Sequence, residues 1–248
     1  MAIKSAHSWH HFITKSPGSS TELKEKRFRK ILKKLKGKTI TLVIDETEYR
    51  KKGKKTDYVA IKYLGSVGKV DKGIVSVNAY GIYKNISFPL NFYIFKPKET
   101  LKPSEQYKTK IDWAGEIITD LIDYGFHIEV VLADSLYGES SQFIKILDKY
   151  KLPYIVSIRS NYRVGLPCDQ RVRANKWCKF ELVFSDGESE NRYIREIIYG
   201  KKRAVTYAET TTDPETMPPN STSFVKTNLK RKLKKIVGNL YGLRIWVE

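Results

Sequence analysis

Cysteine is nearly absent from this chain of 248 residues. Its two cysteines, Cys168 and Cys178, are too few for a disulfide framework, and with His127 the nearest histidine they read as buried or free thiols rather than zinc ligands. No apolar run approaches the roughly 18 residues that span a bilayer, and residues 1–18 hold no hydrophobic signal-peptide core. Acid is also in short supply: Lys and Arg number 46 against 27 Asp and Glu, a formal net charge of +19. Hydrophobic residues at 41% and aromatic residues at 12% exclude a disordered basic tail, which would lack the side chains to build a core. The expectation is a soluble, intracellular, basic globular protein.

The surplus of charge is unevenly placed. Residues 1–69 carry 18 Lys/Arg against 6 acids, residues 70–200 carry 18 against 17, and residues 201–248 carry 10 against 4. Three clusters dominate: Lys24 to Lys38, the run Arg50-Lys51-Lys52-Gly53-Lys54-Lys55, and Lys230-Arg231-Lys232-Leu233-Lys234-Lys235. Such clusters bind phosphate backbones by releasing counterions. A lysine-covered surface that keeps a protein in solution is the plainer alternative, but a surplus this size at both ends of a neutral middle reads as a nucleic-acid interface.

Hydrophobic periodicity organises the rest. Phe28, Ile31, Leu32 and Leu35 place a helix over 21–36, with Ser20 or Thr21 as cap and Gly37 at its end. The β-branched run Thr39 to Ile44 is a strand closed by Asp45; Ile74 to Tyr80 and Ile86 to Phe95 continue as a meander. An amphipathic helix over 111–124 leads to a second strongly apolar strand, Ile128 to Ala133, closed by Asp134. A helix over 140–150 and a short strand from Pro153 to Arg159 follow. Three strands, helix, strand, helix, strand is the order of an α/β mixed sheet flanked by helices. Residues 160–228 carry short polar strand-like runs, and the last stretch returns to helix after a break at Gly238.

Asp45 and Asp134 are the informative pair. Either one alone reads as an ordinary turn or cap residue after a strand. If their strands are parallel neighbours, which a right-handed crossover through the 111–124 helix permits, the carboxylates meet at the strand ends, where sites form in open α/β sheets. Two such acids repel unless a cation joins them, and Mg²⁺ favours a few carboxylates together with waters and a phosphate-bearing substrate. Tyr241, Arg244 and Glu248 fall at i, i+3 and i+7 and would share one helix face. By spacing alone, Arg244 and Glu248 are an ordinary i,i+4 surface pair.

These residues resemble a known family, the DDE-type insertion-sequence transposases that carry a Tyr-Arg-Glu-Lys signature. Val43-Ile44-Asp45-Glu46-Thr47 is similar to the first motif, followed by the basic Lys52-Gly53-Lys54-Lys55-Thr56 and by Gly68-Lys69. Ala133-Asp134-Ser135-Leu136-Tyr137-Gly138 resembles the second, and Tyr241, Arg244 and Glu248 the third. The resemblance implies an RNase H-like fold with Asp45 on the first strand and Asp134 on the fourth. It implies a division into a basic helical segment (1–38), a catalytic core (39–159), a β-rich insertion with a basic linker (160–238) and the start of a catalytic helix (239–248). Asp45, Asp134 and Glu248 would be catalytic and would bind metal, two ions of Mg²⁺ or Mn²⁺. Tyr241, Arg244, Lys52, Lys54, Lys55, Lys232, Lys234 and Lys235 would contact DNA. The implied partners are double-stranded DNA, namely the element's terminal inverted repeats and the target, and a second copy of the chain as a homodimer in the DNA complex. The implied location is the cytoplasm, in association with the nucleoid.

Two departures stand out. Glu46 occupies a place where the family commonly has a second Asp, and the signature's Lys, seven residues past its Glu, would fall beyond Glu248. With no complete helix-turn-helix before Asp45, the expectation is a truncated transposase. Two other classes compete: an inactive remnant that only binds DNA, and a different RNase H-like nuclease. Gly65 to Val70 lacks the glycine spacing of a phosphate loop, and His7, His10 and His11 read as packing or DNA contacts. Asp112, Asp120 and Asp123 read as a solvated helix face.

Overall fold

The computed structural model describes residues 15, 19–52, 56–65, 67–84, 86–166, 168–184, 186–200 and 204–247, with the side chains of 245 and 246 also left aside. Residues 1–38 and 39–248 form two compact units. In the first, helix α1 (Ser20–Leu35) is capped by Ser19, whose side chain accepts from the Glu22 amide, and it ends where Lys36 turns left-handed. Phe28 and Leu35 are its buried residues.

The second unit is built on one mixed sheet. β1 (Ile40–Arg50) lies antiparallel to β3 (Lys69–Tyr83) on one side and parallel to β5 (Ile128–Ala133) on the other. β4 (Ile86–Ile94) pairs with β3, and β6 (Tyr154–Ile158) runs parallel to β5. The order β4-β3-β1-β5-β6, with helices in both crossovers, is the expected RNase H-like arrangement. Leu42, Val43, Ile44 and Val130 to Ala133 are buried, as continuous apolar runs are when both sheet faces are covered.

Helix α2 (Lys110–Asp123) links β4 to β5. It starts from a reciprocal capping box between Thr109 and Asp112 and buries Ala114, Ile117, Ile118 and Leu121 at helical spacing. Asp112 therefore serves as a cap and not as part of a solvated face. Asp120 likewise accepts from the Tyr93 hydroxyl at 3.0 Å. A short helix α3 (Ser135–Gly138) and helix α4 (Ser141–Lys149) link β5 to β6.

Two features of the first strands differ from the sequence expectation. β1 does not stop at Asp45: it continues to Arg50, because β3 goes on pairing with it after its parallel partner β5 has ended. A short strand, β2 (Ala60–Leu64), adds to the far end of β3. The polar stretch 160–228 forms β7 (Val172–Ala174), β8 (Cys178–Val183), β9 (Ser189–Tyr199), β10 (Thr206–Thr211) and β11 (Ser223–Thr227). Through β11, antiparallel to β6, these strands extend the same sheet to 11 strands.

The chain returns along one face as α5 (Leu233–Asn239) and a 3-10 turn (Tyr241–Trp246). Gly238 lies inside α5 and does not break it; an added Cβ there would come within 2.9 Å of the Phe180 ring. Ile236 and Val237 join Val43, Leu132, Ile155 and Phe180 in the core beneath. Among the described residues no helix is long and apolar enough to cross a membrane.

Gly138 fixes how closely α3 approaches β6. A Cβ there would stand 2.0 Å from the Ser157 carbonyl oxygen and 3.0 Å from Val156 Cβ, and backbone cannot yield that distance. Gly138→Ala is expected to lower unfolding free energy by about 1–3 kcal/mol or more, measured by urea denaturation against a control such as Gly165→Ala, whose Cβ would meet nothing within 4 Å.

Candidate active site

The register of β1 on β5 ends at Ile44 opposite Ala133, so the next residue on each strand is Asp45 and Asp134. Side chains alternate along strands. Val43 and Leu132, two residues back, both enter the core under α5. Asp45 and Asp134 therefore project from that same face, on backbones about 4.8 Å apart.

Each acid is held. Asp134 is the cap of α3: its Oδ1 accepts from the amides of Leu136 at 2.9 Å and Tyr137 at 3.4 Å. Capping was the plain alternative for this residue, and here it orients the carboxylate. Asp45 is approached by Arg244, whose Nη2 lies 3.8 Å from Oδ1, with both side chains about four-fifths buried. Arg244 also donates from Nη1 to the Tyr241 hydroxyl at 3.3 Å. In a 3-10 segment three residues make one turn, so Tyr241 and Arg244 stay in line although the segment is not α-helical. Arg244 is thus directed at Asp45, with its guanidinium largely buried.

Glu46, by alternation, lies on the opposite face. Its Oε2 takes the Lys110 ammonium, and its Oε1 accepts from the Tyr137 hydroxyl at 3.3 Å. Burial pushes the Tyr137 hydroxyl far above its ordinary pKa, and the charges of Glu46 and Asp134 add to the effect, so it remains a donor. Glu46 ties β1, α2 and α3 together directly behind the pair.

The remaining expected residues are more scattered. Lys52 is exposed in the connection after β1, and Lys232, Lys234 and Lys235 are exposed at the start of α5. Lys54, Lys55 and Glu248, like His7, His10 and His11, lie outside the described residues. Among the described residues no group of three or more His, Cys, Asp or Glu is placed to hold a metal ion, and both cysteines are exposed and unpaired by disulfide.

Two lysines were missed in the sequence. Lys110 sits at a helix start and carried no signal beyond its charge. Lys226 lies on β11, in a stretch too poor in apolar residues to stand out as a strand. It is buried and donates to the Gly138 carbonyl at 3.1 Å. Burial pulls its ammonium below the usual lysine value, against the charges of Asp148 and Glu139.

A family model described as DDE superfamily endonuclease matches residues 2–179, which include Asp45 and Asp134. The chain belongs to this family. Its DDE-family relatives include a "Probable transposase for insertion sequence element IS701" of Microchaete diplosiphon, 48% identical over 240 residues. That alignment covers 96% of this chain, and the chain spans 63% of the relative's length. Among solved structures, the "Drosophila P element transposase strand transfer complex" is 15% identical, at a TM-score of 0.23, over 60% of this chain and 33% of the other. The NurA nuclease from Sulfolobus solfataricus is 9% identical, at a TM-score of 0.33, over 97% and 86%. Likeness this loose leaves the fold to the strand order itself.

In this DDE-family chain Glu46 has a supporting place. Glu46→Ala would leave both Lys110 and the buried Tyr137 hydroxyl without their carboxylate, at a cost of about 1–3 kcal/mol, whereas Tyr137→Phe removes one hydrogen bond and costs about 1 kcal/mol. Urea unfolding of both variants checks the ranking; a neutral Glu46→Ala would contradict it.

Proposed function

We propose that this chain acts as an insertion-sequence transposase that cuts DNA strands at the element's ends and transfers them to a target. The observation that carries the reading is the side-by-side placement of Asp45 and Asp134 on one sheet face, with Arg244 against Asp45. The donor set suits a hard divalent cation: of two carboxylates, Asp134 takes both of its cap hydrogen bonds on Oδ1, which leaves Oδ2 for a ligand. Asp45 and Asp134 would hold Mg²⁺ or Mn²⁺, and Glu248 is the proposed third carboxylate for a second ion. When bound, such ions activate a water or a 3′-hydroxyl and stabilise the leaving oxygen in an in-line phosphodiester displacement.

The chain's own groups do the positioning. Arg244 presents a planar fork suited to a phosphate oxygen beside Asp45. Tyr241 steadies the guanidinium by hydrogen bonding to it. The α3 amides fix the Asp134 carboxylate, and Glu46 fixes the strand behind Asp45. Exposed lysines, Lys52, Lys232, Lys234 and Lys235, with Lys54 and Lys55, contact DNA backbone and leave sequence reading to other groups. The substrates are the terminal inverted repeats and target DNA, the working form is a homodimer on DNA, and the place of action is the cytoplasmic nucleoid.

Asp134→Asn is the discriminating variant, because Asn caps a helix as well as Asp does while removing the charge. With Mg²⁺ and a duplex carrying the element's ends, cleavage is expected to fall by more than about 100-fold, since even partners one step removed from a metal are worth 10–100-fold. Equal cleavage by both proteins would remove the site. Salt-sensitive DNA binding by the wild type without any cleavage would instead identify a binding remnant.

A further inference from the structure

The sheet face that bears Asp45 does not end at the acidic pair. Asn78 on β3 is the register partner of both Asp45 and Phe92, so the three form one cross-strand row. Phe92 is thus two strand spacings from the acid, about 10 Å. Tyr49 lies four residues along β1 on the same side, about 13 Å away. Tyr63 on β2 faces the same way, opposite Val70 on β3.

These rings are open. Phe92 is 55% exposed, Tyr49 54% and Tyr63 62%, on a sheet whose helices α2 and α4 pack on the other side. Exposed apolar groups gathered on one surface mark an interaction site.

Charge says what it takes. The acids Glu46, Glu48 and Asp71 of these strands all project from the opposite side, where they pair with Lys110, Lys62 and Arg50. Among the described residues of β1–β4, Asp45 is the only acid on the aromatic side. Lys72 stands exposed on that side, and Lys51 and Lys52 follow the end of β1. Aromatic rings with a lysine rim suit a strand of nucleotides whose bases are unpaired: bases stack on the rings and phosphates meet the lysines. A duplex hides its base faces and would gain from the lysines alone.

The geometry points to a binding platform, formed by Tyr49, Tyr63 and Phe92, for unpaired nucleotides of the DNA strand leading to Asp45 and Asp134. It rests on the DNA reading above and goes beyond it in naming the strand state and the side chains. The three rings are more than half exposed, so their removal leaves the fold intact.

Fluorescence anisotropy on the full chain tests it, with a blunt duplex and the same duplex carrying a six-nucleotide single-stranded tail. The wild type binds the tailed DNA more tightly. Tyr63→Ala and Phe92→Ala each weaken tailed binding by about tenfold, the usual scale of one stacked base, and leave blunt binding unchanged; Tyr63→Phe behaves as wild type. Variants that bind both DNAs like the wild type would overturn the platform while leaving the DNA reading standing. A change of oligomeric state in the alanine variants, measured by sedimentation, would overturn it in favour of a contact between copies. Failure of the wild type to bind either DNA would overturn both readings.

Discussion

Two carboxylates borne on neighbouring strands about 4.8 Å apart repel each other, and the repulsion grows as water is excluded. Parallel pairing of β1 with β5 imposes that arrangement on Asp45 and Asp134, and much of the surrounding structure answers it. The amides that open α3 donate to Asp134, and a guanidinium approaches Asp45. Arg244 at 3.8 Å partly offsets the charge of Asp45, and a divalent cation held by both acids is the completion proposed above.

The same constraint explains the division of labour across β1. Its outward acids are neutralised in pairs on one face: Glu46 by Lys110, Glu48 by Lys62. Of the acids of β1, Asp45 alone faces the other way, toward the side that carries Arg244. Gly138 belongs to this scheme, since α3 can bring its amides to Asp134 only by lying directly on β6, with no room for a side chain between.

How much of this is legible in the sequence depends on where the signal lies. The apolar runs ending at Ile44 and Ala133 announce two buried strands, each closed by an Asp, and the parallel pairing that brings the two acids together comes from the fold. The i, i+3 spacing of Tyr241 and Arg244 survives because it gives one face in a 3-10 turn as well as in an α-helix. The true end of β1 is hidden, since Thr47, Glu48 and Arg50 are polar and are held in the strand by β3 alone. β11 is hidden for a similar reason: its strand character comes from pairing on both sides, with two apolar residues among five. Glu46 is the instructive case. It looks like a variant of the acid beside it, yet period-2 alternation already sends it to the opposite face, and only the fold supplies Lys110 and Tyr137 as its partners.

Asp45 and Asp134 are proposed together to hold a divalent cation. Calorimetric titration of Mn²⁺ into the full chain tests it without DNA or turnover. Saturable binding is expected in the wild type and is expected to be lost in both Asp45→Asn and Asp134→Asn. Binding that persists unchanged in both variants would contradict it.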